Sequence, residues 1–77
     1  MRVSDRLLEI LACPEDKGSL YYFEADDVLY NPRLRRKYLV RDGIPVMLIS
    51  ESVAVDAAEH ASLEARIASE GIAPTFR

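Results

Sequence analysis

Cysteine is nearly absent from this chain: Cys13 is the only one among 77 residues. No disulfide can form within one copy, and a lone thiol suits a reducing cytoplasm, where the protein is expected to reside. Histidine is as scarce, with His60 alone, so a zinc site of four Cys or His ligands at short paired spacing cannot be assembled. No apolar run approaches the roughly 18 residues that would suggest a membrane helix. No signal-peptide pattern is evident either. The three glycines, Gly18, Gly43 and Gly71, stand apart, which leaves no glycine-rich loop to cradle a phosphate.

What is present is an ordinary globular mixture, 49% hydrophobic and 30% charged. A chain this short makes one small domain, which buries only about 60% of its unfolded surface. The net charge of −3 carries no overall nucleic-acid signature. Charge is nevertheless uneven. Arg33, Arg35, Arg36, Lys37 and Arg41 crowd into nine residues, whereas Glu51, Asp56, Glu59, Glu64 and Glu70 face only two arginines from residue 51 onward. The basic cluster reads as a solvated loop, and alternatively as a patch for RNA phosphate or for an acidic protein surface.

The elements follow from local pattern. Ser4 and Asp5 can cap free N–H groups, and Leu7, Leu8 and Leu11 share a helical face, which predicts about two turns of helix ending before Pro14. Leu20–Glu24 is aromatic-rich and predicts a strand, returned through an Ala25–Asp27 turn by Val28–Tyr30. The tyrosines there are expected to wall a small sheet with their hydroxyls in water, although stacked RNA bases would use the same residues. Lys37–Arg41, Asp42-Gly43 and Ile44–Ile49 read as a hairpin with a type I′ turn. Pro45 confines its strand to an edge or a bulge. Alanines at 54, 57, 58, 61, 65 and 68, with Leu63 and Ile67 one turn apart, predict a helix over 56–69 whose thin apolar stripe packs weakly. The organisation read from these patterns is an α+β domain over 1–51, an alanine-rich helical segment over 52–71 and a tail over 72–77.

Catalytic chemistry has little to work with. His60 falls on the polar side of its helix, far in sequence from Cys13, and the paired acids Glu15/Asp16 and Asp26/Asp27 sit in turns, where carboxylates bind local N–H groups. No enzyme and no cofactor is expected. The stretch Leu7–Gly18, LLEILACPEDKG, opens like a zinc knuckle, yet the position three after Cys13 is Asp16. The facing segment offers Asn31 and Leu34 at the same spacing. These four positions are too weak to hold zinc, so the knuckle is expected to be kept by Pro14 stiffness, by Asp16 capping its turn and by apolar packing near Leu34.

Leu-Leu-Glu-Ile-Leu-Ala-Cys-Pro, then Lys-Gly-x-Leu, then Tyr38-x-x-Arg-Asp-Gly-Ile-Pro-Val-Met closely resembles the YcaR-type family of small bacterial proteins, over Arg6 to about Glu51. That family looks related to the zinc-binding activator subunit of tRNA, rRNA and protein methyltransferases. The resemblance implies a short helix on a small antiparallel sheet of two hairpins, zinc-ribbon-like with three of four ligands gone. It also implies a non-catalytic protein that binds a methyltransferase. Strand addition along Ile44–Ile49 would suit that work, with Arg41, Ile44, Pro45, Val46, Met47 and Leu48 as contacts. Two other readings stay open: a homodimer joined through the same apolar edge, and an RNA module using Arg33, Arg35, Arg36, Lys37 and Arg41 with Tyr21, Tyr22 and Tyr30.

Overall fold

The computed structural model describes residues 3–75. The expected first helix is α1 (Asp5–Ile10), and the Leu7 N–H donates to Ser4 Oγ at 3.2 Å, which satisfies one of the free donors at the helix start. Three antiparallel strands follow: β1 (Tyr21–Phe23), β2 (Val28–Asn31) and β3 (Arg36–Arg41). Their register aligns Tyr22, Leu29 and Tyr38 in one row across the sheet, and Phe23, Val28 and Leu39 in the next.

Because side chains alternate along a strand, these rows face opposite sides, and both sides are covered. Tyr22, Leu29, Tyr38 and Val40 pack with Val3, Cys13 and Leu20 under Leu7, Leu8 and Leu11 of the N-terminal segment. Phe23, Val28 and Tyr30 pack on the other side with Val55 and Leu63, flanked by Tyr21, Leu39, Ile67 and Ile72. The second cover is α2 (Ala57–Glu70), one residue displaced at its end from the sequence reading. Asp56 caps it by accepting from the Glu59 N–H at 2.8 Å, and Gly71 ends it in the left-handed conformation at φ 64°.

The tyrosines depart from expectation. Tyr30 and Tyr38 are fully buried, and each hydroxyl is bonded inside the protein: Tyr38 to Cys13 Sγ at 3.2 Å, Tyr30 to His60 Nδ1 at 2.5 Å. A phenol buried this deeply needs a partner for its hydroxyl, and tertiary packing provides one, Cys13 for Tyr38 and α2 for Tyr30. Burial pushes both phenols above their ordinary pKa, with the Cys13 hydrogen bond adding to the effect at Tyr38. Tyr22 is buried too, and its hydroxyl accepts from the Val3 N–H and donates to Asp27. Bases could not stack on these rings.

The second hairpin has its type I′ turn, with φ of 53° at Asp42 and 76° at Gly43. Its return strand is far shorter than Ile44–Ile49: β4 covers only Ile44–Pro45, one further bond joins the Val46 N–H to the Leu39 carbonyl, and Ile49–Glu51 turns as a 3₁₀ helix. A last strand, β5 (Val53–Ala54), then pairs with Arg36 and Lys37. The segment 44–54 therefore runs along the outer edge of β3, with β4 closing one half and β5 the other. At the opposite edge Pro74 bridges Tyr21, and the buried Thr75 bonds Leu20 through both its N–H and its hydroxyl. Much of what the sequence presents as a tail is thus a sheet-edge cover; Phe76 and Arg77 lie outside the described residues.

Helix α2 docks on one buried leucine and on polar ties: Lys37–Glu59 and Arg66–Asp26, both at 2.6 Å, and the Arg66 guanidinium 4.8 Å over the Phe23 ring. Leu63→Ala should cost about 2 kcal/mol of unfolding free energy, the low end for a buried leucine in a small core. Ala65→Ser on the exposed side should stay within about 0.5 kcal/mol. Equal urea midpoints for the two variants would show that α2 does not rely on this face.

Candidate functional site

Two loops face each other beside the sheet. The first, between α1 and β1, folds back on itself: the Cys13 N–H donates to the Gly18 carbonyl at 2.9 Å, and the Lys17 N–H to the Cys13 carbonyl at 2.8 Å. The second links β2 to β3. Each has a left-handed residue four positions after its first candidate ligand, Lys17 (φ 59°) after Cys13 and Arg35 (φ 53°) after Asn31.

Polar side chains close the space between them. Asp16 Oδ1 accepts from the Gly18 N–H at 3.0 Å, the turn cap anticipated from the sequence, and from Asn31 Nδ2 at 3.2 Å. Asn31 is fully buried, and its Oδ1 accepts from the Arg33 and Leu34 N–H groups at 2.9 and 3.3 Å. Arg33 then spans the gap, donating from Nε to Asp16 Oδ2 at 2.8 Å and from Nη2 to the Ser19 carbonyl at 2.7 Å. The Arg33 guanidinium beside Asp16 holds that carboxyl well below the usual carboxylate range, with the Gly18 and Asn31 bonds acting in the same direction. Leu34 takes no part through its side chain, which is exposed rather than packed against the knuckle.

Four residues at ligand spacing do not make a ligand set here. The Cys13 thiol points into the core toward Tyr38, both Asp16 oxygens are engaged, and Leu34 offers no donor atom. Among the described residues no three His, Cys, Asp or Glu side chains gather as a metal ion would need. The zinc that the resemblance implies does not fit these residues. Cys13 and His60 are also kept apart: Cys13 packs in the core under α1, whereas His60 on α2 bonds Tyr30 across the sheet, so no thiol–imidazole pair forms. His60 is a docking contact of α2 and not the free surface histidine its helix position suggests.

The basic cluster is likewise dispersed. Arg33 serves Asp16, Arg36 pairs with Glu15 at 3.4 Å and Ser52 at 2.9 Å, and Lys37 pairs with Glu59. Within the cluster, Arg35 and Arg41 have no carboxylate partner among the described residues, and one precedes β3 while the other ends it.

The apolar residues of the second hairpin divide differently. Met47 turns inward against the first core. Ile44 and Leu48 are exposed, at 67% and 59%, as are Ile49 and Val53 further along the same edge. Between them Leu39, Arg41, Val46 and Glu51 line an open cleft of about 210 Å³. Sequence reasoning, whose edge ended at Ile49, missed Glu51 and Val53 at this surface, because it did not foresee that the chain turns after Ile49 and returns to β3.

A two-faced antiparallel meander with a Cys-Pro knuckle set against the β2–β3 loop defines a small α+β domain of zinc-ribbon-like build whose knuckle is closed by side chains. The chain belongs to the Trm112p-like family, whose model matches residues 4–43. It is 46% identical over 55 residues to a UPF0434 protein of Rhizobium etli, covering 71% of this chain and 89% of that protein. A UPF0434 protein of Rhizobium rhizogenes is 47% identical over 51 residues, 66% of this chain and 82% of the relative. The solution NMR structure of an uncharacterised protein is 48% identical and superposes with a TM-score of 0.60, covering 73% of this chain and 92% of that one. These proteins are all shorter than this chain. No described helix is long and apolar enough to cross a membrane.

The depressed Asp16 carboxyl has a defined pH signature. Above its ordinary 3.8 both folded and unfolded chains carry the ionised group and the contribution is complete. As pH falls further, the unfolded chain takes up the proton first and the advantage is lost. The stability difference between wild type and Asp16→Asn should therefore be flat from about pH 7 to about pH 5 and shrink below about pH 4. A difference that stays constant in urea titrations down to about pH 2.5 would show that the carboxylate is not held by Arg33.

Proposed function

We propose that this chain is a non-enzymatic binding subunit that stabilises or activates a larger enzyme, with a methyltransferase as the partner that its family suggests. The observation that carries the reading is the exposed apolar row Ile44, Leu48, Ile49 and Val53 beside the Arg41 cleft. Large apolar residues on one edge of so small a protein are the kind of surface that partners cover. In this reading residues 1–51 carry the binding surface, Val53 extends it, and the helix that follows in 52–71 covers the sheet. Arg41, Ile44, Val46 and Leu48 are the contacts, with Pro45 shaping the edge.

The exposed row beside a cleft lined by Arg41 and Glu51 supports recognition as the chemistry of this surface. Contact through side chains agrees better with the geometry than strand addition, because β4 is two residues long. The RNA reading is not favoured by a comparable observation, and it is the family that sets a partner enzyme above the homodimer. The dimer would use the same row, and three of the four residues Arg33, Arg35, Arg36 and Lys37 are already engaged within the chain.

A tagged pull-down from native cytoplasm, at native abundance, should recover one stoichiometric enzyme of this class. Ile44→Asp with Leu48→Asp should lose that enzyme while circular dichroism and Tm stay close to wild type, since both side chains are largely exposed. Recovery of the protein with itself alone would favour the homodimer. A double variant that still captures the enzyme would remove this surface from the proposal.

A further inference from the structure

A zinc knuckle ties two loops together because one cation draws anionic ligands from both. The knuckle here also has a cation at its centre, and that cation is part of the chain. Arg33 leaves the second loop and lays its guanidinium against the first, where it meets one carboxylate, Asp16, and one carbonyl, Ser19. A planar fork carrying several fixed donors suits that pair of acceptors, whereas a lysine ammonium is a compact point charge.

The first loop is shaped to receive it. A Cβ at Gly18 would stand 2.3 Å from Arg33 Nη2 and 2.7 Å from Cζ, so any side chain there would push the guanidinium out of its place. Gly18 is not among the residues of positive φ, so what its missing side chain provides is room and not backbone freedom. Asn31 completes the arrangement: it is fully buried, bonds Asp16 with its amide N–H and holds the Arg33 N–H with its carbonyl. Carboxylate, carbonyl, cleared glycine and aligned backbone converge on one guanidinium.

We propose that Arg33 is the structural cation of this knuckle, holding Asp16 and Ser19 in the cradle over Gly18 and taking the part that a bound zinc ion plays in a metal-loaded knuckle. The two loops are thereby tied without metal supply, and the tie is selective for arginine. This assignment concerns the knuckle alone and stands apart from the partner surface.

Thermal unfolding of the full chain at pH 7 tests it. Wild type should shift by less than about 1 °C with either a chelator or equimolar zinc. Arg33→Ala, Arg33→Lys and Gly18→Ala should each lower Tm by about 5 °C. In an Asp16→Asn background, Arg33→Ala should cost clearly less than it does in wild type, the mark of a coupled pair. A zinc-dependent rise in the wild-type Tm overturns the proposal, and so does an Arg33→Ala protein as stable as wild type. Should Arg33→Ala fail to fold, Arg33→Lys decides: wild-type stability there means that any cation suffices and the guanidinium assignment falls.

Discussion

A small sheet whose longer strands carry apolar residues at successive positions has no side that can face water. Of Tyr21-Tyr22-Phe23 and Val28-Leu29-Tyr30, Tyr22 and Leu29 go to one side and Tyr21, Phe23, Val28 and Tyr30 to the other. Each side must then be sealed, and the rest of the molecule is arranged around that requirement. The N-terminal segment and α1 seal one side over Tyr22, Leu29 and Tyr38; Val55 and α2 seal the other over Phe23, Val28 and Tyr30. Antiparallel sheets commonly leave one face solvated. This one cannot, and α2, outside the segment that the family model matches, is part of its core.

Sealing both faces of so small a sheet leaves polar groups at the margins, and the margins are where the specificity of the fold resides. Tyr30 reaches His60, Lys37 reaches Glu59 and Arg66 reaches Asp26, so α2 is positioned by several polar ties around its single buried leucine. Salt bridges at exposed surfaces contribute little individually. Their value here lies in fixing the angle of a helix whose small alanine side chains would allow many. The knuckle follows the same logic at an equally exposed margin, where the buried Asn31 fixes Asp16 and Gly18 lets the guanidinium lie against the main chain.

The elements with local signals are legible in the sequence. Ser4 announces the first helix, Asp42-Gly43 the hairpin turn, and Asp56 with Gly71 the two ends of α2. The Asp16 turn cap is legible as well. Illegible are the relations set by tertiary packing. His60 looks solvent-facing because its helix has a weak apolar stripe, yet the polar partner it meets is a tyrosine from a strand thirty residues away. Arg33 looks like one of a run of basic residues, and nothing local distinguishes it from Arg35. The unbroken apolar strands are the signal that could have revealed the docking of α2, because strands buried on both faces read as continuous runs.

The same packing decides how a partner can approach. Along β4 the Val46 N–H points inward to Leu39, so alternation of main-chain groups turns those of Pro45 outward. Proline has no N–H to donate, and a strand laid against this edge would lose a bond at its centre. At the other edge of the sheet Pro74 and Thr75 already occupy β1. Edges guarded by proline and by short pairings are how sheet proteins resist unwanted strand addition. What remains accessible along residues 44–54 is side-chain surface: branched apolar groups around a cleft whose lining includes Arg41 and Glu51. A surface of that kind selects by shape and by the placement of charge, so a partner must present complementary side chains and not merely a free strand.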